Sequence, residues 1–279
     1  FSFVGARLQQ GKKSPASHPF LTGRLSWGRL TTLPMMLKPF FGAVVATAAL
    51  VALALPAGAD TVRARPKAVV ELFTSQGCAQ CPPADALLTG LAEEGDVVAL
   101  AYHVDYWDYA GWEDTFGKED FSDRQRAYAK SWGSSRIYTP QMVVNGAKGV
   151  VGSRRHEVHR ALDGSALPLA VDITRDGDML KVSIPPDTAL EDAVVWMVTY
   201  LDRADVTIDK GENAGKSMVY TQVVTARQPL GLWEEDAGAM LKLPLPEILN
   251  QGSTGIAVLV QQERDGMPGP ILGAATYEQ

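Results

Sequence analysis

Alternation of apolar and polar positions divides the chain near residue 166. "KAVVELFTS" (67–75) and "DVVALAYHVDYW" (96–107) are almost continuous apolar, β-branched runs, the pattern of strands buried on both faces. Between them "PPADALLTGLAEEG" (82–95) carries apolar residues at Ala86, Leu87, Leu88 and Leu91, opens on prolines and stops at Gly95. That is a helix, since proline is tolerated in a first turn and glycine ends one. "FSDRQRAYAKSWG" predicts a second helix, ended by Gly133, and "RIYTPQMVVNGAKGVVG" (136–152) a hairpin about Asn145-Gly146. "SRRHEVHRALDG" (153–164) predicts a third helix with Ser153 as N-cap. From about Pro168 the helical periods stop. "LAVDITRDGDMLKVSI", "AVVWMVTYLD", "ADVTID", "SMVYTQVVTA", "GIAVLVQQE" and "PILGAATYE" follow one another between Gly, Pro and Asp clusters. They predict an all-β, antiparallel, sandwich-like unit of six or seven strands. The expected organisation is an α/β domain over 60–166 followed by a β domain over 167–279.

The segment before residue 60 reads differently. Residues 1–34 contain no acidic group and no sustained apolar period, and are expected to be upstream translation, disordered and outside the fold. "MMLKPFFGAVVATAALVALALPAGAD" has a lysine at Lys38, an apolar run from Phe40 to Leu55, and Ala57-Gly58-Ala59. These are the three parts of a secretory signal peptide over 35–59, with cleavage expected before Asp60. The apolar run falls short of the roughly 20 residues that span a bilayer. The expected location is therefore periplasmic or secreted, with no membrane insertion after cleavage. Removing the six basic residues of 1–59 from the chain's 26 leaves 20 against 32 acidic ones, a net charge near −12. Such acidity excludes a nucleic-acid partner, whose phosphates require a basic face.

In an oxidising compartment the chain's 2 cysteines, Cys78 and Cys81 of "FTSQGCAQCPPAD", acquire meaning. A C-x-x-C between a strand and a helix, in a βαβ context, is the mark of a thioredoxin-like redox centre. A helix N-terminus favours thiolate charge. Cys78 is therefore expected to be the exposed, attacking sulfur and Cys81 the resolving one, one turn inward. The partners of such a pair are protein or small-molecule thiols and disulfides, and no cofactor is required. Four other readings remain open. A permanent clamp closes too small a loop to stabilise much by chain entropy. Zinc wants four ligands, and no second C-x-x-C exists. Copper suits two thiolates and an imidazole, so Cys78, Cys81 and His103 form the alternative set, that of a copper-binding chaperone. In the last reading the β unit is a non-catalytic binding module and the disulfide is idle.

Further candidates surround the pair. Pro140 precedes a strand that it cannot extend, which places it at a turn, with a cis Thr139–Pro140 bond in view. Thr139 would then offer its backbone to an extended substrate. Glu71, an acid inside an apolar strand, is a candidate proton partner for the resolving thiol if buried, and an edge residue otherwise. Tyr106, Trp107, Tyr109, Trp112 and Phe116 are interleaved with acids and offer a substrate groove, with Trp107 the candidate contact. Core packing accounts for most of the others. Arg124 and Arg126 are expected on a solvated helix face, and His156 and His159 on the surface.

Taken in order, "VVELFTSQGCAQCPPAD", "HVDYWDYAGWEDTF", "RQRAYA", "YTPQMVVNG" and "GENAGKSMVYTQVV" resemble a family of exported bacterial proteins of unassigned function with a thioredoxin-like fold. The resemblance implies that fold. Through the wider thioredoxin superfamily it implies Cys78 as nucleophile, Cys81 as resolving thiol and Pro140 as the cis-proline. The chain departs from typical thioredoxins at Gly77, where a tryptophan is usual. It departs again at Ala79-Gln80, in place of Gly-Pro, and at Glu71, one residue away from the usual buried acid.

Overall fold

In the computed structural model, which describes residues 60–249 and 252–279, the N-terminal apolar runs become neighbouring strands. The first half comprises β1 (Thr61–Ala64), β2 (Ala68–Thr74), α1 (Pro82–Glu93), β3 (Val97–His103), α2 (Glu119–Ser131), β4 (Gln141–Val144), β5 (Lys148–Val151) and α3 (Arg155–Leu162). The second comprises β6 (Asp172–Asp176), β7 (Met179–Ile184), β8 (Ala193–Thr207), β9 (Ser217–Trp233), β10 (Ala239–Pro244), the single turn α4 (Leu245–Ile248), β11 (Gly255–Arg264) and β12 (Met267–Glu278). The upstream segment and signal peptide expected over 1–59 lie outside the described residues.

The architecture is mixed α/β, with a nine-stranded sheet in the order β1-β12-β11-β8-β9-β3-β2-β4-β5 and a three-stranded sheet β10-β7-β6. β2 and β3 are parallel, with Thr74 beside His103, and β4 and β5 continue antiparallel on the far side of β2. Successive β2 side chains serve different cores, because a strand alternates faces. Ala68, Val70 and Leu72 pack with Leu87, Leu88 and Leu91 of α1 and Val158 of α3. Val69 and Phe73 pack on the other face with Tyr128 of α2.

The change of pattern near residue 166 does not interrupt the sheet. β9 lies parallel beside β3 through Ala101 and Val223. The core of Phe73, Leu100 and Tyr102 also includes Val198, Val224 and Leu259 from the second half. The three-stranded sheet covers the other part of the large one, burying Ile173, Val182 and Leu243 against Val195, Val258 and Tyr277. The second half thus has two sheets packed together, the larger of which is shared with the first half.

Local differences from the sequence expectation have local causes. "AVVWMVTYLD" and "ADVTID" are one strand, the 15-residue β8, paired along its length with β9. β10, "AMLKLP", has no sequence signature because most of its residues are only half-buried or exposed. α3 starts at Arg155 behind Arg154, without a side-chain cap, so Ser153 does not cap it. No helix among the described residues is long and apolar enough to cross a membrane.

Candidate active site around the Cys78–Cys81 disulfide

The C-x-x-C lies where β2 hands over to α1. Its turn is held by Cys78 N–H donating to Ser75 O at 3.1 Å and Cys81 N–H to Cys78 O at 3.2 Å. Cys78 and Cys81 are disulfide-bonded, with Cα atoms 5.4 Å apart. Cys81, not Cys78, is the N-cap of α1. The expected exposure of the first sulfur is also corrected: Cys78 is 2 % and Cys81 0 % exposed. Only Ala79 and Gln80 of the motif reach solvent. The physical reason lies in the connection between β8 and β9, some 135 residues away in sequence. Asn213 donates its amide hydrogens to Gln76 O at 2.8 Å and Cys78 O at 3.0 Å. Lys216 Nζ in turn holds Asn213 Oδ1 at 2.7 Å.

Trp107 links the motif to the other predicted positions. The Thr139–Pro140 peptide is cis, at the entry to β4, and Pro140 is buried. Trp107 Nε1–H donates to Thr139 Oγ1 at 2.7 Å. The same residue backs Gly77, where any Cβ would come within 3.2 Å of Trp107 Cβ and 3.3 Å of its carbonyl oxygen. A glycine in place of tryptophan thus lets the chain pass Trp107 on its way to Cys78. Tyr109, 85 % exposed, stacks on Trp107 at 6.5 Å and extends this aromatic surface into solvent.

Glu71 stands elsewhere. It is fully buried on the α2 face of β2, where Oε1 accepts from Arg124 Nε at 2.8 Å and Oε2 from the Tyr128 hydroxyl. Gln261 of β11 closes the network, bonding Tyr128 Oη at 2.8 Å and Arg124 Nη2 at 3.0 Å. Its role as proton partner of Cys81 is corrected by this placement, since α1 packs on the other face of the sheet. Arg124 is likewise corrected from solvated to buried, while Arg126 is exposed and pairs with Asp123.

On the α1 face the structure assembles polar groups to which the sequence alone assigned no common role. His103 and Thr74 sit side by side at the ends of β3 and β2. His103 Nδ1 bonds Asp114 Oδ2 at 2.8 Å, and that oxygen also accepts Gln76 N–H at 2.7 Å. Burial pushes the Asp114 carboxyl up, but His103 and the N–H groups of Gln76 and Phe116 outweigh it and hold it below its ordinary value. Opposite, Thr74 Oγ1 donates to Asp85 Oδ1 at 2.8 Å. Burial raises the Asp85 carboxyl to about 7, against the opposing pull of His103 and the Thr74 hydrogen bond. Tyr220 of β9 completes the enclosure, its ring edge-on to His103 at 4.9 Å. The available signal was the spacing of Cys81 and Asp85, four residues apart on a helix. Asn213 and Asp114 carried no such local signal.

The copper set is not assembled. His103 is engaged by Asp114, the sulfurs are bonded to each other, and no group of three or more His, Cys, Asp or Glu able to hold a metal exists among the described residues.

Fold and site together define a mixed α/β protein with a buried C-x-x-C disulfide at the head of a helix, backed by ionisable groups. The chain belongs to the family described as protein of unknown function (DUF1223), whose model matches residues 69–261. It is similar to the crystal structure of protein AGR_C_4864 from Agrobacterium tumefaciens, with 35% identity and a TM-score of 0.68 over 76% of this chain and 94% of that one. HBP35 of Porphyromonas gingivalis shares the fold at 12% identity, with a TM-score of 0.51 over 76% of this chain and 74% of that one. No curated protein matches the chain.

Proposed function

We propose that this is an exported thiol–disulfide oxidoreductase of thioredoxin-like fold, cycling the Cys78–Cys81 disulfide. The observation that carries the reading is the helix-head C-x-x-C whose Gly77 packs on Trp107, the residue that also bonds Thr139 before Pro140. Residues 68–162 run β-α-β-α-β-β-α, and their strands lie in the order β3-β2-β4-β5, the first two parallel and the rest antiparallel. That arrangement supports the thioredoxin-like assignment. In the cycle a substrate thiolate attacks Cys78 Sγ, the electron pair of the S–S bond leaves on Cys81, and a mixed disulfide forms at Cys78. In the opposite direction Cys81 attacks Cys78 and releases the substrate as a thiolate. Export rests on the signal peptide expected over 35–59, and a secreted chain beginning at Asp60 is its test.

The deciding experiment pairs trapping with a redox titration. Cys81→Ser traps mixed disulfides in the exporting cell, whereas Cys78→Ser traps none. A potential below about −300 mV, characteristic of structural disulfides, with no trapped partner, would mark an idle bridge and sink the proposal.

A further inference from the structure

We infer that Asp85, not Glu71, is the proton partner of the resolving cysteine Cys81, and that His103 and Asp114 position it for that exchange. The inference rests on the thiol–disulfide reading and adds to it the residue that handles the proton. Three observations carry it. Cys81 has helical backbone angles, and Asp85 N–H donates to its carbonyl at 3.1 Å, so the two are one turn apart on the buried face of α1. Residues at that spacing have Cβ atoms about 5–6 Å apart. Asp85 and His103 are 5 % and 0 % exposed, and among the described residues Asp85 Oδ2 and His103 Nε2 are both without a hydrogen-bond partner. Buried polar atoms are rarely left so, and those that are call for a reason. Finally, Asp114 reads both ends of the arrangement, accepting from His103 Nδ1 and from the N–H of Gln76, two residues before Cys78.

The groups facing Asp85 come from every element packed around it: Thr74 of β2, His103 of β3, Asp114 of the following loop and Tyr220 of β9. Among the described residues, no lysine or arginine pairs with Asp85 or Asp114. With Nδ1 engaged by Asp114, Nε2 is the ring nitrogen of His103 left unengaged among the described residues. Asp85, raised by burial, holds a proton at neutral pH more readily than an exposed acid.

The chemistry balances without another reagent. When a donor thiolate attacks Cys78 Sγ, the S–S bond breaks and Cys81 departs as a thiolate. It takes the proton of the Asp85 carboxyl, leaving a carboxylate beside His103. When Cys81 later resolves a mixed disulfide, its thiol proton returns to Asp85. Its sulfur then bonds Cys78, and the substrate sulfur leaves with the electron pair of the broken bond.

The test is stopped-flow reaction of the reduced protein with 5,5′-dithiobis(2-nitrobenzoate), in which Cys78 releases the first thionitrobenzoate and Cys81 the second. In the wild type the second phase accelerates through an inflection near the Asp85 range. In Asp85→Asn that inflection disappears and the second phase slows by roughly tenfold or more at neutral pH, the low end of general-base effects. The first phase is unchanged. A second phase with the same pH profile in both proteins overturns the inference while leaving the redox reading intact. A wild type that releases no second thionitrobenzoate overturns both. If Asp85→Asn does not fold, the infrared difference spectrum of the wild type on reduction decides. Loss of a buried carboxylic acid band supports the inference, and an unchanged carboxyl region overturns it.

Discussion

Glu71 and Asp85 are both buried acids on or against β2, but only Glu71 has a guanidinium against it. Breaking a buried pair leaves the remaining charge without compensation, typically at about 3–5 kcal/mol. Glu71→Gln is therefore expected to lose stability of that order in urea unfolding, with the exchange rate of the folded protein unaltered. Asp85 behaves differently. Its carboxyl is raised by burial to about 7, above the ordinary aspartate value near 4 that the unfolded chain shows. Between those values the native state binds more protons than the unfolded state, so this stabilising contribution is full below about pH 4 and is lost as pH rises through about 7. The loss is at most about 1.4 kcal/mol per pH unit. Unfolding of the oxidised protein across this window should show that decline in the wild type, and a flatter profile in Asp85→Asn.

At the scale of elements, the turn between β2 and α1 is held by pieces that arrive from other parts of the chain. Asn213 donates to two buried carbonyls of the motif, so Asn213→Ala should cost about 1–3 kcal/mol by leaving Gln76 O unpaired and Cys78 O with only the Cys81 N–H. The same change should accelerate reduction of the disulfide by dithiothreitol, because it releases the segment lying against the C-x-x-C. Trp107→Phe keeps most of the packing against Gly77 but deletes the bond to Thr139. It should cost on the order of 1 kcal/mol in stability, and weaken binding of a peptide disulfide more than that of a small disulfide, measured as a change in KM. The strands and helices themselves were largely legible. β2, α1, the β4–β5 hairpin and α3 fall within the predicted runs because each is defined by local periodicity, prolines or an Asn-Gly turn. β10 and the fusion of two runs into β8 were not, because partners and not residue pattern decide them.

At the scale of the whole molecule, the nine-stranded sheet and a core drawing on both halves tie residues 60–166 to 167–279. A fragment ending after α3 would expose Phe73, Leu100 and Tyr102 where Val198, Val224 and Leu259 now cover them. It should give no cooperative thermal transition, whereas the chain from Asp60 to Gln279 should unfold in one, by circular dichroism. The residues by themselves determined the order of elements, the place of the C-x-x-C between a strand and a helix, and the proline turn at Thr139–Pro140, because each is written in local spacing. Tertiary structure alone decided which face of β2 each acid occupies, that Asn213 and Asp114 meet the motif, and that both sulfurs are buried. Those outcomes depend on contacts between positions far apart in the chain, and on strand register, where a shift of one residue exchanges the faces.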